Sequence, residues 1–472
     1  MRRPSALRLP VILALAASGL LAGLALAAFL SLPQLKTVSP AVGAQNVSSR
    51  APIHLAFNRP MDSGSVEAAL RFTPEATGTF VWDAAHNTLT FTPRQPWPVG
   101  GTVTAALTGG KSRGGLPLLG AHTWTFTISG ERVAYLTSAP PNLWFIPLAE
   151  GAQPQPVTAE PNGVYDFDLS PDGLRFVYST LRADGGADLR VIEVDGSGAA
   201  DVLLCPGEAC LSPAFSPDGQ RVAYERHTLT VGLSGEASFG AARVHVVDLA
   251  TRADDAVGEA DAEGRFPRWG PDGRLSYFDT TRQAIVVQDL ATRAVTYVPD
   301  SSGEMGTWSP DGQSIVYPEI YLPDEPPPNP ALPAGEHTDR FFSHLLRVTI
   351  ATNATANLSG GGVVEDASPV YSPSGEWLAF ARKSLDQAQW TPGRQLWLMR
   401  ADGSDAQPLT SEPLYHHSAF VWSPDGRALV YMRNNAVTPG LPAEIWTINV
   451  EGADGTGARQ LVVGGYLPEW MP

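Results

Sequence analysis

Cysteine is scarce in this sequence, whose 472 residues include only Cys205 and Cys210. The pair encloses the turn-forming residues Pro-Gly-Glu-Ala, and no nearby His or further Cys completes a zinc site. We therefore predict no metal here. In an oxidising compartment the two thiols should close a small surface loop as a disulfide. A reactive or metal-binding pair is the alternative.

Basic residues are also outnumbered, since 32 Lys and Arg stand against 48 Asp and Glu, for a formal net charge of -16. Nucleic-acid backbones and anionic membrane surfaces would repel such a chain. The charge balance therefore argues against both as partners. Solubility is the simplest explanation of the acidic excess.

One long apolar run is present, from Leu9 to Leu32, and it follows a basic tail of residues 1–8. Its length suffices to cross a bilayer, so we predict a transmembrane anchor over residues 9–32, a cytoplasmic tail and an extracytoplasmic bulk, periplasmic or at the cell surface. Cleavage after Ala25-Leu26-Ala27, as in a secretory signal peptide, is the alternative and would release the protein. No cysteine follows the run, which excludes a lipoprotein-type acylated cysteine.

Glycine and proline are abundant, with 46 and 42 residues, which is too many for a helical protein. Between Lys36 and Gly130, short alternating strands are separated by turn residues at close spacing, as in a small β-sandwich. The predicted strands are Ile53–Phe57, Gly78–Trp82, Thr88–Phe91, Val103–Leu107 and His122–Thr127.

This segment resembles the bacterial Ig-like domain of S-layer (SbsA-type) and other surface proteins. The resemblance rests on Val38-Ser39-Pro40, on Phe57-Asn58-Arg59-Pro60-Met61-Asp62, on Leu89 to Pro93 and on the closing strand Trp124 to Thr127. It implies an Ig-like domain over residues 36–130 that acts as a spacer or an adhesive module.

The tetrapeptide Ser-Pro-Asp-Gly occurs six times, four times unchanged and twice with one residue replaced. Each copy follows a large apolar residue and precedes an apolar-aromatic strand. Proline presets one turn angle, glycine accepts a positive φ and Asp can bond a nearby N–H, so each copy should be a hairpin. The copies are residues 170–173, 216–219, 270–273, 309–312, 372–375 and 423–426.

Each repeat predicts a sheet that is apolar on both faces and must stack on its neighbours around a ring, as in a β-propeller. Residues 131–148 read as a second and a third strand that lack a first one, and residues 467–472 read as a first strand alone. Together they make one composite blade. The fold prediction is therefore all-β, with a seven-bladed propeller over residues 131–472 closed by its C-terminal strand.

The repeats resemble the TolB-type, WD40-like propeller family over residues 131–472. The similar features are the Trp-Ser-Pro-Asp-Gly pattern, the aromatic strand after it, and a third strand ending near Asp-Gly at residues 195–196 and 402–403. Two features depart from the family: seven blades stand where it has six, and Gly270 and Ser374 replace the usual Ser and Asp.

Residues entering the inner strands should surround the mouth of a central channel, where propellers commonly bind ligands. They are chemically mixed, which fits a polar ligand or a peptide, although solvated rim residues would look the same. The candidates are Asp166, Arg265, Glu304, Asp366, His417 and Tyr466.

Asp166 and Asp168 form an Asp-x-Asp pair, and every repeat adds a further Asp. Each repeat Asp lies in a different blade and satisfies its own turn, so no metal site and no cofactor are predicted. Two insertions interrupt the array, at residues 226–242 and at the Pro-rich residues 318–340. The second should be an extended loop, either functional or a spacer, because prolines do not fit a central strand.

No catalytic constellation is recognised. Gly110 to Gly114 matches G-x-S-x-G, but it lies in a Gly-rich connection with no helix to follow, whereas the hydrolase motif needs a strand-to-helix turn. The leading hypothesis is a membrane-tethered, non-enzymatic scaffold that binds a protein, peptide or glycan of the cell envelope. The alternatives are a hydrolase or lyase acting at the channel, for example through His417 or Asp366, and a purely structural envelope protein.

Overall fold

The computed structural model describes residues 32–45, 47–232, 237–321, 342–386, 389–438, 440–450 and 455–471. Contact clustering divides the chain into two compact units, Met1–Ser129 and Gly130–Pro472. The apolar run predicted as an anchor lies outside the described residues, apart from Leu32. Within the ranges given, no helix is long and apolar enough to cross a membrane.

The first unit has two sheets, one in the order β1-β2-β5-β4 and the other in the order β3-β6-β7. All five predicted strands are found, and two further strands and a short helix were not predicted. The elements are β1 (Leu35–Ser39), β2 (Ile53–Phe57), α1 (Ser63–Glu67), β3 (Leu70–Thr73), β4 (Gly78–Trp82), β5 (Thr88–Pro93), β6 (Thr102–Leu107) and β7 (His122–Thr127).

The Pro-Met-Asp element begins α1 and fills the space between these sheets. The Met61 side chain is fully buried in the core, which also contains Phe91, Trp97 and Trp124. The Asp62 carboxylate caps the helix, because it accepts the backbone N–H of Ser65 at 3.0 Å. This one element therefore provides both a core residue and a helix cap.

The described part of the second unit contains seven sets of four strands, named here first to seventh sheet. Single parallel pairings, Ala187 with Ala209 and Ser343 with Glu365, join the second sheet to the third and the fifth to the sixth. The first combines β35 (Gly465–Met471), β8 (Arg132–Thr137), β9 (Leu143–Pro147) and β10 (Gln155–Pro156). The second contains β11 (Val164–Leu169), β12 (Arg175–Leu181), β13 (Ala187–Glu193) and β14 (Ala200–Leu203). The third contains β15 (Glu208–Phe215), β16 (Arg221–Val231), β17 (Ala237–Asp248) and β18 (Asp254–Ala256).

The remaining sheets repeat this order. The fourth has β19 (Gly264–Trp269), β20 (Leu275–Asp279), β21 (Ala284–Gln288) and β22 (Val295–Pro299). The fifth has β23 (Thr307–Trp308), β24 (Ser314–Tyr321), β25 (Phe342–Thr349) and β26 (Ala354–Asn357). The sixth has β27 (Val364–Tyr371), β28 (Trp377–Ser384), β29 (Gln395–Arg400) and β30 (Gln407–Pro408). The seventh has β31 (Tyr415–Trp422), β32 (Ala428–Asn435), β33 (Glu444–Asn449) and β34 (Arg459–Val463).

Each Ser-Pro-Asp-Gly segment joins the first two strands of a sheet, as predicted. In the second sheet the Ser170 hydroxyl donates to Asp172 Oδ1 at 2.6 Å, and the same oxygen accepts the backbone N–H of Leu174 at 3.0 Å. Gly173 has a φ of 68°, which a residue with a side chain rarely adopts. The repeated Asp is therefore occupied by its own turn.

The last strand completes the first sheet. β35 pairs antiparallel with β8, with Trp470 opposite Val133 and Tyr466 opposite Leu136. Buried Trp470 and Val133 also pack against Val430 of the seventh sheet. Seven buried clusters combine residues of successive sheets in this way, including the pair formed by the seventh and the first. The predicted closure by the C-terminal strand is confirmed.

The two insertions differ from the prediction. Residues 226–231 and 237–242 lengthen the hairpin of β16 and β17. Pro318 to Tyr321 continue β24 and pair with β25, so the predicted loop begins too early; residues 322–341 lie outside the described ranges. Pro318 is tolerated because β23, the neighbour of β24, pairs with only two of its residues and leaves that edge free at Pro318.

The cysteine prediction was right about the bond and wrong about its environment. Cys205 and Cys210 are disulfide-bonded, but both are fully buried between the second and third sheets rather than placed on a surface loop. The Cys205 N–H donates to Asp188 Oδ1 at 2.7 Å. The bond therefore holds the connection between two sheets.

Candidate functional site

A bulge in the innermost strand determines which residues face the centre of the ring. At the bulge, five sheets have a residue other than glycine with φ between 50° and 54°, a sparsely populated conformation. The pairing register with the second strand shifts at the same place. The five residues are Ser212, Phe266, Ser368, Ala419 and Leu467.

Carboxylates of the preceding sheet accept the backbone N–H of three of these residues. Asp166 Oδ2 lies 2.7 Å from the Ser212 nitrogen, and Glu225 Oε1 lies 2.7 Å from the Phe266 nitrogen. Glu304 accepts from Ser368 in the same way. Charge-assisted bonds of this kind are strong, so these carboxylates join successive sheets around the channel.

A cavity of about 590 Å³ opens among the inner strands of the fourth to seventh sheets and β35. Its wall combines apolar side chains with three charged ones. The lining residues include Phe266, Met305, Val370, Phe420 and Val421 and the charged Arg268, Glu304 and Glu469.

Arg268 is the cation of this cavity. Its Nη1 donates to the carbonyl oxygen of Gly306 at 2.9 Å, and no described carboxylate lies within ion-pair distance. The side chain is exposed toward this open cavity. Desolvation by the surrounding protein lowers the pKa of Arg268, against the opposing effect of the Glu304 charge. A ligand carboxylate would supply the missing partner.

Two carboxyl groups lie on β11, the inner strand of the second sheet. Desolvation raises the pKa of Asp166 and of Asp168 to about 6 each. Asp168 Oδ2 accepts the Phe215 N–H at 2.6 Å, while Asp166 Oδ1 has no hydrogen-bond partner. In the described ranges, no three His, Cys, Asp or Glu side chains are grouped to hold a metal ion.

Two of the predicted site residues lie inside the blades. The carboxylate of Asp366 is fully buried and accepts both Nε and Nη2 of Arg382 at 2.7 Å. His417 is also fully buried, with Nδ1 3.0 Å from the carbonyl oxygen of Arg394 and Nε2 3.2 Å from Glu412 Oε2. Neither side chain lines the cavity. Their contacts are those of structural residues, which weakens the hypothesis of catalysis through them.

The other predicted residues lie nearer the channel but are not all together. Glu304 lines the cavity, Asp166 bonds the third sheet, and Arg265 lies 5.9 Å from the ring centre of Phe266. Tyr466 is half-buried on β35, and desolvation raises the pKa of its hydroxyl. Sequence reasoning missed two residues of the cavity wall, Arg268 and Glu469.

Exposed apolar side chains are concentrated on one face of the second unit. We define the front face as the one at which the first strand of each sheet begins and the second and third strands are joined. Of the twelve large apolar side chains that are exposed in the described part of this unit, ten lie on or near this face. They are Tyr165, Leu204, Phe239, Phe266, Trp390, Leu414, Val437, Leu441, Val463 and Leu467.

Comparisons with known proteins agree with the two units. Residues 31–128 match the family described as bacterial Ig-like domain. The Tol-Pal system protein TolB of Gluconobacter oxydans is 28% identical over 290 residues, which cover 60% of this chain. The chain spans 56% of the length of that relative.

Weaker similarities extend to two further proteins. An uncharacterized peptidase of Bacillus subtilis is 23% identical over 211 residues, covering 40% of this chain and 31% of the peptidase. The structure of putative TolB from Agrobacterium tumefaciens matches with a TM-score of 0.39 and 20% identity, covering 56% of this chain and 84% of that one. Residues 31–128 are thus similar to the bacterial Ig-like domain, and a 290-residue stretch of the chain is similar to TolB.

Proposed function

We propose that this protein is an extracytoplasmic binding protein whose seven-bladed propeller holds a segment of a partner protein at the front face. The supporting observation is the concentration of ten exposed apolar side chains on that face. Exposed apolar side chains that share one face of a protein offer contact area to a partner. Their chemistry favours a protein or peptide partner over a purely polar glycan.

The channel supplies the polar part of this recognition. Arg268 is a cation without an ion-pair partner among the described residues, in a cavity whose wall combines apolar side chains with Glu304 and Glu469. A partner segment that brings a carboxylate to Arg268 and apolar side chains to Phe266 and Leu467 would satisfy both features. We therefore assign the anchoring contact to Arg268.

The disulfide and the Ig-like domain support an extracytoplasmic location. Buried disulfides persist in oxidising compartments and are rare in the cytoplasm. A membrane tether through residues 9–32, with the Ig-like domain as a spacer, is part of the same proposal. Fractionation of cells into membrane and soluble parts would separate this tether from a cleaved signal.

Site-specific photocrosslinking in cells tests the binding surface. A photoreactive amino acid at Phe266 should give an adduct with a discrete protein, and one at Tyr297 should not. Both side chains are exposed, to 43% and 41%, but Tyr297 lies on the outer strand β22. The change Arg268→Gln should remove the adduct at position 266. Equal adducts from both positions, or an adduct that persists with Arg268→Gln, would contradict the proposal.

A further inference from the structure

Strand β4 of the Ig-like domain has one edge that pairs with no other strand among the described residues. It ends the sheet order β1-β2-β5-β4 and pairs only with β5. An edge strand presents unpaired N–H and C=O groups to which another strand can bond. Proteins usually protect such edges with charged residues or proline.

β4 lacks this protection. Its five residues, Gly-Thr-Phe-Val-Trp, include no charge and no proline, whereas the edge strands β1 and β3 carry Lys36 and Arg71. The Val81 side chain is 60% exposed. High β-propensity, an apolar surface and no charge together favour pairing with a further strand.

Aromatic side chains line the cavity beside β4. A cavity of about 710 Å³ lies between β3 and β4, the edge strands of the two sheets, and its wall combines Phe72, Phe80 and Phe91 with the charged Glu67, Arg71 and Glu75. The ring centres of Phe72 and Phe91 are 4.6 Å apart, and those of Phe80 and Phe91 are 5.0 Å apart. A strand added to β4 would place alternate side chains over these rings.

We propose that β4 pairs antiparallel with β4 of a second copy of this chain, continuing the sheet across two Ig-like domains. A two-fold contact brings residues near the axis close to their own copies, so a charged residue there would meet the same charge. The neutral composition of β4 suits this arrangement. The inference is independent of the function proposed for the propeller.

The charges that flank β4 permit this pairing. With Phe80 opposite Phe80 of the other copy, Thr79 lies opposite Val81, and Asp83 lies opposite Thr77 rather than another acid. Asp83 Oδ1 is also occupied within its own chain by the N–H groups of Asn87 and Thr88, at 2.7 and 3.0 Å. The formal net charge of -16 opposes association at long range, and salt screens that repulsion. Dimerisation should therefore strengthen with ionic strength.

Sedimentation of the full chain in mild detergent tests the proposal, with Val81→Lys as the variant and Val42→Lys as the control. Val42 is 73% exposed in the same domain and lies outside β4. We expect a concentration-dependent dimer, weakened roughly tenfold or more by Val81→Lys because the two added positive charges lie on the diagonal of the strand pair, and unchanged by Val42→Lys. Circular dichroism should show that both variants remain folded, since both positions are exposed.

Crosslinking locates the contact. The native cysteines are joined in a disulfide, so a thiol introduced by Val81→Cys is the free one. A bismaleimide of about 8 Å should link two copies through position 81, because diagonal residues of an antiparallel pair are about 7–8 Å apart. Val42→Cys should not be linked. A monomer at all concentrations, a dimer insensitive to Val81→Lys, or adducts of position 81 with a different protein would each overturn the proposal.

Discussion

Replacing Asp366 with asparagine should destabilise the propeller strongly. The Asp366 carboxylate is fully buried, receives two hydrogen bonds from Arg382 and accepts another from the Ser359 hydroxyl. The Arg382 side chain is only 12% exposed, so Asp366→Asn leaves a buried cation without its counter-charge. Removing one partner of a buried ion pair costs about 3–5 kcal/mol of unfolding free energy.

Urea unfolding of the full chain, followed by tryptophan fluorescence, measures this loss. Asp405→Asn is the matched control, because Asp405 forms an exposed pair with Arg400 at 3.8 Å and has a φ of 55°, which asparagine tolerates. The control should change stability by less than about 1 kcal/mol. An Asp366→Asn protein as stable as the control would refute the structural role assigned to Asp366 and restore it as a candidate ligand-binding residue.

Three further predictions concern other parts of the propeller. Changing both Cys205 and Cys210 to alanine should cost about 2 kcal/mol, the loop entropy of a bond that closes six residues, and the loss should match that of wild type in reductant. Burial raises the folded-state pKa of Asp168 to about 6 from 3.8, so the free energy of unfolding falls as pH rises from 4 to 6. Asp168→Asn should remove about 2–3 kcal/mol of this fall. An equal pH dependence of stability in both proteins would contradict the assignment of the fall to Asp168. Trp470→Ala should cost about 3–5 kcal/mol because the side chain is 4% exposed, while Trp390→Ala, at 53%, should cost under about 1 kcal/mol; equal losses in urea unfolding would show that burial at the closing strand was misjudged.

The blades could be predicted because their signal is local. Proline, Asp and glycine fix each turn within four residues, and the flanking apolar strands require packing on both faces. The composite first sheet followed from counting strands at the two ends of the array, as β35 and β8 show. Long-range closure was therefore predictable from short-range chemistry.

The channel wall could be predicted only in part, because a bulge leaves no mark in a single sequence. The sequence prediction took Arg265 because it lies at the start of the inner strand. The bulge adds a residue to that strand and changes which side chains face inward, so Arg268 lines the cavity instead. A usable signal does exist. Arg268 stands directly before Trp269, the tryptophan that precedes the turn, and Glu469 stands directly before Trp470 near the end of the chain. Choosing the residue before the tryptophan of each inner strand would have found both.

The missed elements of the first unit have a similar explanation. β1 mixes lysine, threonine and serine with two apolar residues, and three of its five residues are exposed, so its pattern does not alternate. α1 is five residues long, too short for helical periodicity to show. Burial of Cys205 and Cys210 depends on the packing of two sheets, which spacing alone does not reveal.

Hydrogen exchange of the full chain, compared with a chain ending at Gly464, tests closure of the ring by β35. We expect amides of β8 to exchange slowly in the full chain and to lose protection in the shortened one, because β35 supplies one of the two strands that β8 pairs with. Strand β2 of the Ig-like domain should exchange equally in both. Unchanged protection of β8 after the truncation would contradict the closed ring.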